Sequence, residues 1–157
     1  MFFTVIRIVS VILGIVGTTF IIPILTALAC HEYAVIPSFA LPLLASWLLA
    51  LTFIFIGKKK KAVLDTRSAF AVVALAWVSA SLFGVIPLYT SGAIPNLHDA
   101  VFESVSGFST TGATIIQDIE ALPRSINMWR CETHWLGGMG IVALTVALLP
   151  ILGVGGF

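Results

Sequence analysis

The chain has 157 residues, of which 59% are hydrophobic and only 10% charged, with a formal net charge of +1 and a mean hydropathy of +1.12. A soluble domain carries about 25% charged residues, so this composition excludes that class and describes an integral membrane protein. The near-neutral charge gives no basis for nucleic-acid binding, and Cys30 and Cys131 are too few and too far apart for a metal-site or redox motif.

In chain order, Arg7 precedes an uncharged run from Ile8 to Cys30, 23 residues, where about 20 suffice to span a bilayer. This is the expected first crossing, with Pro23 as a kink that membrane helices tolerate. A cleaved signal peptide is the alternative, but the run exceeds the 7–15 residues of such a core and no small-x-small site follows it. His31, Glu32 and Tyr33 form a polar turn before the second uncharged run, Ala34 to Ile56, again 23 residues. Pro37 and Pro42 lie early in that run, so its regular helix is expected from near Pro42. Trp47 reads as a packing residue or lipid contact. Lys58 to Lys61 and Arg67 then place the following loop in the cytoplasm, as basic residues beside membrane helices do.

The third uncharged run, Ser68 to Gly92, crosses outward and delivers Tyr89 to Pro95 to the external side. The next stretch, NLHDAVFESVSGFSTTGAT from Asn96 to Thr114, is too short and too polar to cross. A helix from Leu97 to Gly107 would be about 16 Å long, roughly half the hydrocarbon thickness, so it enters the membrane and turns back. Asn96 is the expected N-cap, Asp99 at N3 answers free backbone N–H groups, and Gly107 suits the helix stop. After Phe108 come Ser109, Thr110, Thr111, Gly112, Ala113 and Thr114, small residues whose extended backbone can turn its carbonyls one way. A short helix with its negative end in the membrane, followed by such a strand, suits a cation filter in which carbonyl oxygens replace the ion's water. An external loop with a Ser/Thr-rich turn is the other reading of the same spacing. Glu103, inside the short helix, needs a partner or water because an unpaired charge is expensive there. Its expected role is to brace the loop rather than to touch the ion.

Ile115 to Met128 is a polar return, and the last crossing is expected to begin around Trp129 to Thr133 and to run inward to about Leu152. Gly137, Gly138 and Gly140 let neighbouring helices approach closely, and His134 reads as an interfacial or packing histidine. With four crossings and both termini cytoplasmic, Arg7, Lys58, Lys59, Lys60, Lys61 and Arg67 lie inside and only Arg124 and Arg130 outside, as the positive-inside rule requires. Of the acids, only Asp65 falls inside. The external bias of Glu32, Asp99, Glu103, Asp118, Glu120 and Glu132 either concentrates cations at the mouth or reflects polar external loops.

FESVSGFSTTGAT, followed from Trp135 by WLGGMGIVALTVALLPILGVGG, closely resembles the first pore loop and following helix of the Trk/Ktr family of potassium uptake proteins. The resemblance runs from about Arg7 to Phe157. It implies an all-α integral membrane protein with four transmembrane helices, one re-entrant pore helix and an extended filter loop. Residues 1–66 would be the pair of helices that precedes the pore in some members, and residues 67–157 the first of four helix, pore-loop, helix repeats around one ion path. It assigns Thr110, Thr111 and Gly112 as the filter core binding potassium through backbone carbonyls, with Ser109, Ala113 and Thr114 at its margins. Ser109 stands where relatives often carry threonine. The implied setting is the bacterial inner membrane, the cargo is potassium, and the implied partners are the remaining repeats and a cytoplasmic nucleotide-binding regulatory subunit. One loop supplies about a quarter of a four-loop ring, so the chain is expected to be an N-terminal fragment of a longer transporter, with a homotetramer as the alternative.

No enzyme is expected. Gly107, Phe108, Ser109 and Thr110 are similar to the GxS core of intramembrane serine proteases, with His134 as a base, but Thr110 stands where glycine is needed. That chemistry requires Ser109 and His134 within hydrogen-bond reach.

Overall fold

The computed structural model describes residues 2–57 and 66–148. Among these, every regular element is helical: α1 (Phe2–Thr19), α2 (Ile21–Ala29), a 3-10 turn (Tyr33–Val35), α3 (Ile36–Gly57), α4 (Thr66–Thr90), α5 (Leu97–Phe108) and α6 (Arg124–Leu148). Among the described residues, three stretches are long and apolar enough to cross a membrane: Phe3–Ala29, Tyr33–Ile56 and Arg67–Thr90. Lys58 to Lys61, Asp65 and the expected end of the last crossing near Leu152 lie outside the described residues.

The first expected crossing is interrupted at a single residue, Phe20, whose backbone stays helical at φ -57° and ψ -16°. Thr18 and Thr19 donate their hydroxyls back to the carbonyls of Gly14 and Val16, at 2.9 and 2.7 Å, and Pro23 offers no N–H to the carbonyl of Thr19. The chain therefore steps at Phe20, between α1 and α2. The step turns Phe20 fully into the core, where its ring lies 4.4 Å from Trp129 and 6.2 Å from Phe39. In the second crossing the helix starts at Ile36 instead of near Pro42. Pro37 falls in its first turn, where no N–H is needed, and Pro42 is accommodated inside the helix.

α1 lies tightly on α3 because two glycines face it. A Cβ on Gly14 would come 2.7 Å from the Ala50 Cβ, and one on Gly17 equally close to the Ser46 Cβ. Trp47 donates its indole N–H to the Thr18 hydroxyl at 3.1 Å, while Leu41, Leu44 and Leu48 point outward. Phe20, Phe39, Leu88, Ala100, Phe108, Ile126 and Trp129 form the main core. That core joins the first three helices to the helices around α5.

α6 begins at Arg124, several residues before the expected Trp129 to Thr133, because its N-terminus is capped from a distant loop. The Glu32 carboxylate accepts the backbone N–H groups of Arg124 and Ser125 at 2.7 and 3.0 Å and the Ser125 hydroxyl at 2.6 Å. These are the donors a helix start leaves free, at its positive end.

Candidate functional site

α5 seats itself through its small residues. Ala100, Glu103, Ser104, Ser106, Gly107 and Phe108 are buried, while Leu97, Phe102 and Val105 are exposed. The Ser104 hydroxyl donates to the carbonyl of Ser81 on α4 at 2.7 Å. Asn96 occupies the N-cap position with extended backbone, but it makes no cap bond to the helix. Its amide donates instead to the Asp99 carboxylate at 3.1 Å, so the pair ties the first turn to itself.

Gly107 does not stop the helix, which continues through Phe108. Its small size is needed for contact with α6, since a Cβ there would lie 2.8 Å from the Cβ of Thr133. The stop is made by Thr110, whose φ of 57° is left-handed. The Thr110 N–H bonds the carbonyl of Gly107 at 2.9 Å and the Thr111 N–H that of Ser106 at 3.0 Å. This is a Schellman-type closure with threonine where glycine is usual. A β-branched residue in that region is a conformational outlier, and such strain persists only where the surroundings over-determine it.

The surroundings do so from several directions. Trp77 on α4 donates its indole N–H to the Phe108 carbonyl at 3.2 Å, and the bare Cα of Gly137 on α6 lies against the Phe108 backbone, where a Cβ would approach the carbonyl carbon to 2.8 Å. Gly140 likewise makes room for the Trp77 ring. Gly138 differs, because the nearest atom to its Cβ position is the Thr110 Cγ2 at 3.9 Å. Gly137 and Gly140 thus lie at close approaches and Gly138 does not.

The expected strand, Ser109 to Thr114, is irregular backbone without regular secondary structure and is exposed throughout. Gly112 is its second left-handed residue, with φ 74°, and a Cβ there would meet nothing within 4 Å. Glycine is required at that position by backbone conformation, not by space. The Ser106 hydroxyl donates to the Ala113 carbonyl at 2.6 Å, committing that oxygen to the helix.

The far end of the strand is held by Glu103. Its carboxylate accepts the Thr114 hydroxyl at 2.9 and 3.0 Å and the Ile115 N–H at 3.3 Å. Arg130 on α6 pairs with it, Nε to Oε1 at 2.7 Å, and donates also to the Thr114 hydroxyl at 3.2 Å. Glu103 is 4% exposed, so this is a buried ion pair with nearly every oxygen lone pair in use. A second buried acid, Glu132, meets no hydrogen-bond donor among the described residues.

Glu103, expected to brace the loop rather than to touch the ion, makes its contacts with Thr114, Ile115 and Arg130. Arg130, read from sequence only as an external charge, is its partner, and the signal was available: an acid in a short helix between apolar runs demands a cation, and the expected topology put only Arg124 and Arg130 on its side. Trp77, Ser106, Thr133 and the Glu32 cap carried no local pattern. Ser109 and His134 are not joined: the Ser109 hydroxyl bonds Thr111 Oγ1 at 2.8 Å and the Ser106 carbonyl at 3.3 Å, while His134 Nδ1 lies 2.9 Å from the Arg130 carbonyl.

The Glu32 cap yields a pH prediction. Burial pushes the Glu32 carboxyl up, but the bonds from the Ser125 hydroxyl and backbone, together with Arg124, outweigh it and hold the group below its ordinary value of 4.5. A lowered folded value means the contribution is present above the unfolded value and is lost as pH falls through the folded one. Glu32→Ala should therefore cost about 0.5–2 kcal/mol at pH 7, with the difference from the parent shrinking on acidification below 4.5. Unfolding titrations in mild detergent at several pH values check this; a pH-independent difference would contradict the cap.

The family model described as "Cation transport protein" (TrkH) matches residues 37–157. The Trk system potassium uptake protein TrkH of Vibrio parahaemolyticus is 36% identical over 157 residues, 99% of this chain and 32% of that protein. TrkH of Halomonas elongata is 54% identical over 94 residues, 59% of this chain and 20% of that protein. The crystal structure of the potassium transporter TrkH from Vibrio parahaemolyticus superposes with a TM-score of 0.88 at 36% identity, covering 100% of this chain and 34% of that one. The chain thus spans about a third of the length of the Vibrio relative that it matches nearly throughout. The matched family model covers the helix, short-helix, strand and helix geometry built above, and by that match the chain belongs to the TrkH family of cation transport proteins.

Proposed function

We propose that this chain forms one side of a potassium pathway, with the backbone carbonyls of Thr110, Thr111 and Gly112 as ligands for the dehydrated ion and Ser109, Ala113 and Thr114 at the margins. The observation that carries this reading is the exposed strand with two left-handed residues, pinned at its start by the closure of α5 and at its end by Glu103 and Arg130. Irregular backbone at membrane depth is tolerated only against protein or a water-filled cavity, so this strand needs further walls. Those walls are other pore-loop repeats or further copies of this chain, and the names of the relatives, potassium uptake proteins, support potassium as the cargo.

In this reading the stretch holding α1 and α2, then α3, α4 and α6 make four crossings of the bacterial inner membrane, α5 re-enters from outside, and both termini are cytoplasmic. Residues 1–66 are the preceding helix pair and residues 67–157 the pore repeat. A cytoplasmic nucleotide-binding subunit would regulate the assembly. A single cysteine placed near Lys60 should react with membrane-impermeant reagents only after the cytoplasmic face is opened; external labelling would reverse the topology.

The functional test is flux. Reconstituted as a demonstrated monomer, the chain should pass no selective potassium current, and a monomer that does so refutes the proposal. In a complete assembly, Gly112→Ala forces a side chain into the left-handed region at about 1–2 kcal/mol. It should reduce potassium over sodium selectivity while leaving membrane insertion intact, and unchanged selectivity would remove Gly112 from the filter core.

A further inference from the structure

One buried residue of α5 meets three consecutive residues of the loop that follows it. Ser106, 5% exposed, accepts the Thr111 N–H on its carbonyl at 3.0 Å and, at the longer distance of 3.5 Å, the Gly112 N–H. Its hydroxyl donates to the Ala113 carbonyl at 2.6 Å. All three contacts are made within this chain, by a side chain and a carbonyl that its own atoms bury.

Each contact fixes a carbonyl direction. In a planar trans peptide the C=O of one residue and the N–H of the next point to opposite sides of the chain, and no cis bond occurs among the described residues. With the Thr111 and Gly112 N–H groups turned toward Ser106, the carbonyls of Thr110 and Thr111 are turned away from it. At Ala113 the order reverses, because there the carbonyl itself faces Ser106. The row has a defined beginning as well. The Phe108 carbonyl is held by the Trp77 indole, and the Ser109 carbonyl accepts the Thr110 hydroxyl at 2.7 Å. Among the described residues nothing donates to the carbonyls of Thr110, Thr111 and Gly112. Three successive acceptors without a protein donor call for water or an ion.

We infer that Ser106 is the positioning residue of this loop. It aims the Thr110 and Thr111 carbonyls at the ion and ends the row at Ala113, so discrimination between ions depends on a hydroxyl that is not itself a ligand. The inference rests on the reading of Thr110, Thr111 and Gly112 as the ligands.

The test uses the complete assembly in which Gly112→Ala is measured, with the ratio of potassium to sodium flux as the readout. Ser106→Ala removes one oxygen atom and keeps the backbone acceptor, so membrane insertion should persist. Freeing the Ala113 peptide should lower the ratio by about two- to tenfold, the worth of one hydrogen bond. The α-hydroxy acid analogue of threonine in place of Thr114 makes the linkage after Ala113 an ester, whose carbonyl is a weaker acceptor. It should lower the ratio within the same range with Ser106 intact. Combined with Ser106→Ala, the ester should add little, because the bond it weakens is already gone. A parent-level ratio in either single variant, or full additivity of the two, overturns the inference while Gly112→Ala still lowers the ratio. If Gly112→Ala also leaves the ratio unchanged, the ligand reading itself falls and this inference falls with it.

Discussion

Arg130→Met is expected to destabilise the chain by about 3–5 kcal/mol, the cost of breaking a buried ion pair and leaving one charge behind. The Arg130 and Glu103 side chains are only 12% and 2% exposed, so solvent cannot take over the role of the missing partner. The loss would reach further than the pair, because the same carboxylate receives the Thr114 hydroxyl and the Ile115 N–H, and the end of the strand is held by little else. Combining Arg130→Met with Glu103→Gln removes both charges and should recover much of the loss, since replacing a whole buried pair is often close to neutral. Unfolding free energies from denaturant titration in detergent, arranged as a double-mutant cycle, measure the coupling. A single-variant loss within about 0.5 kcal/mol, the range of ordinary surface changes, would mean that the pair does not hold the strand.

The second large effect is expected at Gly137. A methyl group there meets backbone, the carbonyl of Phe108, which no rotamer change can move aside. Gly137→Ala should cost about 1–3 kcal/mol by overpacking, even though alanine favours the helix by about 1 kcal/mol. Gly138→Ala, with only the Thr110 Cγ2 at 3.9 Å, should be neutral or stabilising by up to that same propensity gain of about 1 kcal/mol. Gly140→Ala should fall between them, because the obstacle is the Trp77 ring, a side chain able to turn. Turning it would withdraw the indole N–H from the Phe108 carbonyl. Thermal unfolding of the three variants side by side gives the order, and equal effects at Gly137 and Gly138 would contradict this assignment of the close approach.

Much of this architecture was legible in one dimension because a bilayer makes hydrophobic length decisive. Uncharged runs such as Ile8 to Cys30 and Ala34 to Ile56 announce membrane helices without knowledge of what they touch. The shortness of the stretch from Leu97 to Gly107, its Glu103 and the small residues after it likewise marked a helix too short to cross, followed by small residues with special backbone. Pattern failed where a residue's role lies in its partner. Gly107 looked like a helix stop, and only the approach of Thr133 shows that it is a packing contact, leaving the stop to Thr110. Glu32 looked like one more external acid, although its three bonds cap a helix that starts 92 residues later.

By itself, then, the amino-acid sequence determined the membrane class and the order of the long helices, and it singled out Ser109 to Thr114 as the stretch proposed here as a filter. These follow from local quantities: hydrophobic length, charge distribution and the steric freedom of small residues. Only the tertiary structure decided which acid meets Arg130, which glycines carry helix contacts, and why α1 and α2 part at Phe20. Those outcomes depend on surfaces brought together from distant parts of the chain, where tenths of an ångström separate a contact from a clash and no sequence spacing records the distance.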